Sequence, residues 1–405
     1  MLKAGSLFYA LILMLLIGVV LSVLILNSST DKLIKTKLEL ENELIDFNVS
    51  SIAYALANYS KLDSIEQIEK PFSNAFRFSV KREKWGFLDL LYCNSFYRKD
   101  TIKKMAIIGS NKTNKLALYL ADFNKPLYLL NTKIKGDCKL PRVGISRLHI
   151  NNKQYKKNVI LGNISNSKKE LPKINKTYQI SSYSSDKIAY KDIKHNSKLI
   201  NKFNQPTKVI YLDKSIDIKN IEISGKFILK SLDSICIKKT AILNDVIIQS
   251  PKIYIESGFK GSVQLFATKQ IQIDKNVTLD SPSILHLMNE TRDDVKIDIG
   301  ENSKLYGNIL LYGKTEHIRT NYLNINKNTR IIGTIYCQGT TELKGKIYGT
   351  IYTNKFKLDT GDSKYDNAIK DGEINVLDLP KDFVTINFEI ENEDEKNHAI
   401  LKWLP

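Results

Sequence analysis

Apolar and polar positions follow three different rhythms along these 405 residues. From Leu7 to Leu26 almost every position is apolar, and only Tyr9, Gly18 and Ser22 interrupt the run. No face of such a helix is polar, which argues against an ordinary surface or core helix. At about 1.5 Å per residue the run reaches roughly 30 Å, the thickness of a bilayer core. A secretory h-region is shorter, about 7–15 residues, and closes on a small-x-small site. Asn27-Ser28-Ser29 is a poor match to that site. The pattern therefore predicts a retained membrane helix over residues 6–27, with Leu7, Leu11, Leu15, Val19 and Leu26 facing lipid.

The second rhythm follows at once. Residues 31–60 hold no Gly or Pro, and Leu33, Ile34, Leu38, Ile45, Ile52, Leu56 and Tyr59 recur at spacings of mostly three, four and seven. Such spacing predicts an amphipathic continuation of the helix over residues 28–66, laying its apolar stripe on a globular domain. Short strands come next: AFRFSV, WGFLDLLYC, MAIIG, LALYLADF, PLYLLN and NVILGNI, separated by turn residues. They predict an antiparallel or mixed sheet in a small α+β domain. With the polar stretch at 164–205, read as a linker, this domain covers residues 67–200.

The third rhythm is a repeat. ICI at 235–237, IYI at 253–255 and IQI at 271–273 recur every 18 residues, and IDI at 297–299 and LNI at 323–325 follow at intervals of 26. A second series interleaves with it: FILKS at 227–231, VIIQS at 246–250, VQLFA at 263–267, ILHLM at 284–288, ILLYG at 309–313 and IYCQG at 335–339. Short strands at a repeating spacing with no helix between them predict a parallel β-helix, or β-solenoid, over residues 201–360. An antiparallel sandwich shares the short strands and turns but not the 18-residue triplets. Residues 361–405 leave the repeat and read as a cap over its open strand edges.

Composition changes this picture little. Hydrophobic residues at 42% and charged residues at 26% are ordinary for a folded chain. The net charge of +18 raises nucleic acid as a partner. The lysines, however, are scattered among Ile and Asn with no dense block, and no nucleic-acid partner is expected. Charge does not orient the span either, since Lys3 faces Lys32, Lys35 and Lys37 across it.

Candidate chemistry is sparse. Cys93 and Cys138 lie in the same middle region and could pair as a disulfide in an oxidising compartment, whereas Cys236 and Cys337 read as buried free thiols. No CxxC pair suggests zinc. His149, His195, His286, His317 and His398 show no metal-ligand spacing, and no GxSxG, Walker loop or GxGxxG occurs. The acidic groups Glu290, Asp293, Asp294, Asp298, Glu301 and Asp359, Asp362, Asp366 carry oxygen ligands suited to Ca²⁺, but solvated loops explain them better. The expectation is no enzyme, no metal and no cofactor.

The opening MLKAG-SLFYALILMLLIGVV resembles type IV pilin-like proteins, whose precursors carry a short basic leader ending in Gly directly before the apolar helix. The resemblance implies cleavage between Gly5 and Ser6 by a prepilin peptidase, with residues 1–5 as the leader. It covers residues 1–60. The family's glutamate at the fifth mature position falls here on Ala10, and its usual Phe or Met at the first falls on Ser6. Lack of that glutamate is the pattern of minor subunits at the tip of a pilus or type II secretion pseudopilus. What the resemblance implies is a bacterial inner-membrane, single-pass protein, its large carboxy-terminal part periplasmic or extracellular. Its partners would be membrane lipid, the peptidase and other pilin-like subunits. By repeat pattern alone, residues 208–355 resemble bactofilin-like and adhesin-like solenoids. The alternatives are thus an anchored β-helix adhesin or a bactofilin-like scaffold.

Overall fold

A computed structural model of the chain describes residues 4–59, 62, 67–69, 76–111, 115–147, 159–174, 186–193, 196–212, 215–313, 319–380, 383–386 and 397–404. The chain divides into two compact units, residues 1–82 with 91–105, and residues 83–90 with 106–405.

The first unit is organised by one helix, α1, from Ala4 to Ala57. Its 54 residues extend about 80 Å. Leu44, Asn48, Ser51, Ile52 and Ala55 are buried, at the spacing of one helix face. They face the strand residues of the same unit. Phe47 lies 5.2 Å from Phe76, Tyr54 lies 5.9 Å from Phe78 edge-on, and Asn48 donates to Ser95 Oγ at 2.9 Å. The stripe expected from Leu33 onward starts later: Leu33, Ile34 and Leu38 are exposed, because the helix buries no apolar side chain before Leu44. The helix also ends at Ala57, short of residue 66.

The second unit is almost entirely sheet, and its pairing is mostly parallel. Three ladders run through it. In ladder A, Leu199, Ile223, Leu243, Gly261, Leu279, Leu305, Ile331, Ile347, Ile374, Ile134 and Ile160 pair in that order. In ladder B the order is Ile188, Ile210, Leu229, Ile248, Leu265, Leu285, Ile309, Ile335, Ile351, Leu118, Cys138 and Ile164. Ladder C joins Ile216, Ile235, Ile253, Ile271, Ile297, Leu323, Thr341 and Phe356. At about 4.8 Å per pairing, the eleven steps of ladder B span roughly 50 Å. Apolar residues from all three ladders form a single buried cluster.

Local chemistry sets the corners. Between ladders C and A, Asn220, Asn276, Asn302 and Asn328 adopt left-handed backbone, which Asn tolerates better than most residues. Between ladders A and B, Gly333 and Gly349 sit at φ 146° and 142°, and a Cβ on either would strike the backbone oxygen of the glycine in the preceding layer, Gly307 or Gly333. Only glycine lets the layers close at that corner.

Two expectations need correction. Residues 116–140 and 159–166 do not belong to a small separate sheet: Leu116–Leu120, Lys133–Lys135, Asp137–Leu140, Val159–Leu161 and Ile164–Asn166 extend ladders A and B. Likewise residues 361–405 do not simply leave the repeat, since Glu373–Asn375 pairs parallel with Lys346–Tyr348 on one side and Lys133–Lys135 on the other. No segment alone contributes more than two strands to either ladder, too few to register as a repeat; interleaved, they share one apolar core. The return of the chain at 167–172 is tied to tyrosines of ladder B. Tyr119 accepts from the Lys168 N–H and donates to the Glu170 carbonyl, and Tyr336 donates to the Pro172 carbonyl at 3.0 Å.

Candidate functional site

The surface that the fold leaves unsatisfied is the first half of α1. Gly5 and Ser6 lie in its opening turn, and Gly5 is exposed with no atom within 4 Å of where a Cβ would stand. Leu7, Leu11, Leu15, Val19 and Leu26 are 55–73% exposed. The helix is long and apolar enough to cross a membrane, and its most apolar window has no buried residue. Each such side chain left in water forgoes roughly 1.5–3 kcal/mol of burial. Three hydroxyls of this segment are turned inward onto the helix. Ser22 donates to the Gly18 carbonyl, Ser29 to Leu26 and Thr30 to Asn27, each at 2.8 Å. Hydroxyls satisfied this way can enter an apolar medium without losing a partner.

The cysteines do not pair. Cys93 and Cys138 are free and buried in different cores. Cys93 lies under Asn48, whose Nδ2 is 3.8 Å from its Sγ, and Cys138 takes its place in ladder B. Burial pushes their thiols up to about 12 and about 11, so neither carries thiolate near neutrality. Cys337 is buried as expected, whereas Cys236 points outward between Ile235 and Ile237 and is half-buried.

Three of the acidic residues are engaged by neighbours. Asp298 pairs with Lys296 at 2.6 Å and accepts from Asn324 and Asn326. Asp359 accepts from the Gly361 N–H, and Asp366 pairs with Lys125 at 2.8 Å. Among the described residues no group of His, Cys, Asp or Glu is placed to hold a metal ion. His149, His195 and His317 lie outside the described residues. His286 is buried beside Phe87, Phe266 and Tyr312, and burial lowers it to about 3, so it stays neutral.

One anchoring element escaped the sequence reading. WGFLDLLYC, expected as one strand, contains a turn at Gly86-Phe87 between Arg77–Trp85 and Leu88–Tyr97. The tip of this hairpin, residues 83–90, belongs to the second unit. Trp85 Nε1 donates to the Asp245 carbonyl at 3.2 Å, and the buried amide of Gln264 accepts from the Phe87 N–H and donates to the Trp85 carbonyl. Phe87 stacks on Phe266 at 5.7 Å, and Lys226 pairs with Glu83 at 2.6 Å. Gly86 is required because the Gln264 amide fills the space of a Cβ. The sole signal in the sequence was Gly86 itself.

No family model matches the chain, and no curated protein matches it. Among solved structures it is similar to the competence-associated pilin ComZ from Thermus thermophilus, at 11% identity over 84% of this chain and 86% of that one, with a TM-score of 0.24. A likeness so slight assigns no fold; the chain's own residues carry the functional reading.

Proposed function

We propose that this chain is a non-enzymatic, membrane-anchored envelope protein: a minor pilin or pseudopilin of a type IV pilus-like or type II secretion filament. The observation that carries the reading is the division of α1. Its first half exposes an unbroken apolar surface, while its second half is clamped by strands through Leu44, Asn48, Ile52 and Ala55. A helix of this kind stores the subunit in lipid and then exchanges lipid for neighbouring helices. The exposed Leu33, Ile34 and Leu38 lie past the polar run at residues 27–32, beyond one bilayer thickness, where neighbouring helices and not lipid tails would cover them. A prepilin peptidase would cut between Gly5 and Ser6. The three ladders would form a parallel β-solenoid carried outside the membrane, a reading supported by strands that visit A, B and C in turn and pair in parallel. A photo-crosslinker at Leu33 or Ile34, activated in cells assembling the filament, tests the helix role. Adducts with other short-leader, apolar-helix subunits are expected; adducts with lipid alone would defeat the filament reading.

A further inference from the structure

The outward positions of ladder A stack one residue type to an unusual degree. Lys260, Thr278, Lys304, Arg330 and Lys346 pair in that order. All four cationic residues are exposed, and neighbours in the column stand about 4.8 Å apart. Like charges set directly opposite in a sheet repel. The chain relieves that repulsion itself at the end of the column, through Lys346 with Glu373 at 3.3 Å, and earlier on the ladder through Lys198 with Glu222 at 2.8 Å. Among the described residues Lys260, Lys304 and Arg330 form no ion pair. The corresponding column of ladder C, running Ser234, Lys252, Gln270, Lys296 and Tyr322, is diluted with neutral residues, and its Lys296 is paired with Asp298.

Beside the basic column lies an open cleft of about 530 Å³ lined by Lys260, Thr278, Asp280, Ser281, Lys304 and Tyr306. One layer beyond Lys304, Arg330 lies over the ring of Tyr348 at 4.4 Å. We propose that this face binds an acidic polysaccharide, a polyuronate-like chain laid along the ladder axis. Lys260, Lys304 and Arg330 would meet its carboxylates, Asp280, Thr278 and Ser281 its hydroxyls, and Tyr306 a sugar face.

The chemistry favours a glycan over nucleic acid. Duplex DNA presents a charge about every 1.7 Å, far denser than a column with at most one cation per layer and none at Thr278. The Asp280 carboxylate would repel a phosphate backbone but accepts from sugar hydroxyls. Arg330 already covers the Tyr348 ring against which a base would stack. The site is independent of the anchor helix, so its failure would leave the filament reading untouched.

The test uses the full chain in uncharged detergent, with labelled polygalacturonate, dextran and a DNA duplex as probes. Polygalacturonate should bind more weakly as salt rises, and dextran should not bind. Lys304→Gln with Arg330→Gln should weaken polygalacturonate binding about tenfold or more, as expected for two charge-assisted contacts. Lys252→Gln with Lys269→Gln removes the same charge from the ladder C side and should change it less than about twofold. Lys304→Gln alone, with an unchanged melting curve, guards against misfolding and should still weaken binding. Equal losses in the two double variants, equal binding of dextran, or tighter binding of DNA than of polygalacturonate would overturn the proposal.

Discussion

The first half of α1 and the ladders of the second unit use the same side chains to opposite ends. Leu, Ile and Val at positions 7–26 stand in the open, whereas Ile235, Ile253, Ile271, Ile297, Ile309 and Ile335 are wholly buried. In the ladders each apolar residue is covered by its counterpart one layer away, so the sequence repeat supplies its own solvent-free core. Among the described residues the first half of the helix has no such counterpart. The proposed function therefore rests on that surface and not on the larger unit.

The contrast can be broken most forcefully inside the ladders. Ile255→Asp places a carboxylate in the core and should cost upward of about 4 kcal/mol, unfolding the second unit, while Lys252→Ser on the same strand should cost under about 0.5 kcal/mol. Similar melting curves for the two would refute the inward–outward assignment. Trp85→Ala at the hairpin tip should cost about 3–5 kcal/mol, and Gln264→Ala about 1–3 kcal/mol by stranding the Phe87 N–H and Trp85 carbonyl. Denaturant titration followed by circular dichroism separates them.

A pH dependence sharpens the ladder side. His286 is neutral in the fold down to about pH 3, while the unfolded chain takes up this proton near pH 6.5. The unfolded state therefore binds more protons between these values, and stability should fall as pH drops through that window, by at most about 1.4 kcal/mol per pH unit. Above pH 6.5 the residue contributes no slope. His286→Phe should flatten the curve, and an unchanged slope would place the titration elsewhere. Smallest in its effect on stability is Val19→Asp, which should leave the melting of the ladders unmoved. It should nevertheless weaken membrane insertion, since an aspartate at a span's centre costs about 2.5–3.5 kcal/mol, a large part of what the apolar residues of the span contribute.

Legibility in the sequence followed the density of apolar positions. Over residues 227–339 ladder B places three or four apolar residues per strand and ladder C two inward ones, and the observed pairings of ladder C, such as Ile235 with Ile253 and Ile253 with Ile271, follow the 18-residue series. Ladder A has one inward apolar residue per strand, as in Lys304-Leu305-Tyr306, and at Gly261 none, so no periodicity marks it. The segment at 116–166 was hidden for another reason. Its partners are more than 200 residues away, and only the parallel pairing of Leu118 with Ile351 reveals that the two belong to one stack. On α1 the apolar run was plain, but where docking begins was not. Leu38 and Leu44 look alike in sequence, and only the strands decide which is buried.

The central claim is that the exposed helix is a pilin-type anchor, retained after removal of a five-residue leader. Amino-terminal mass spectrometry of the protein purified from membranes tests it most directly. A pilin-type anchor gives a mature chain beginning at Ser6, and Gly5→Leu should block the cut and leave the precursor. A terminus beyond Leu26 would remove the anchor, and one at Met1 or Leu2, or normal maturation of Gly5→Leu, would contradict the account.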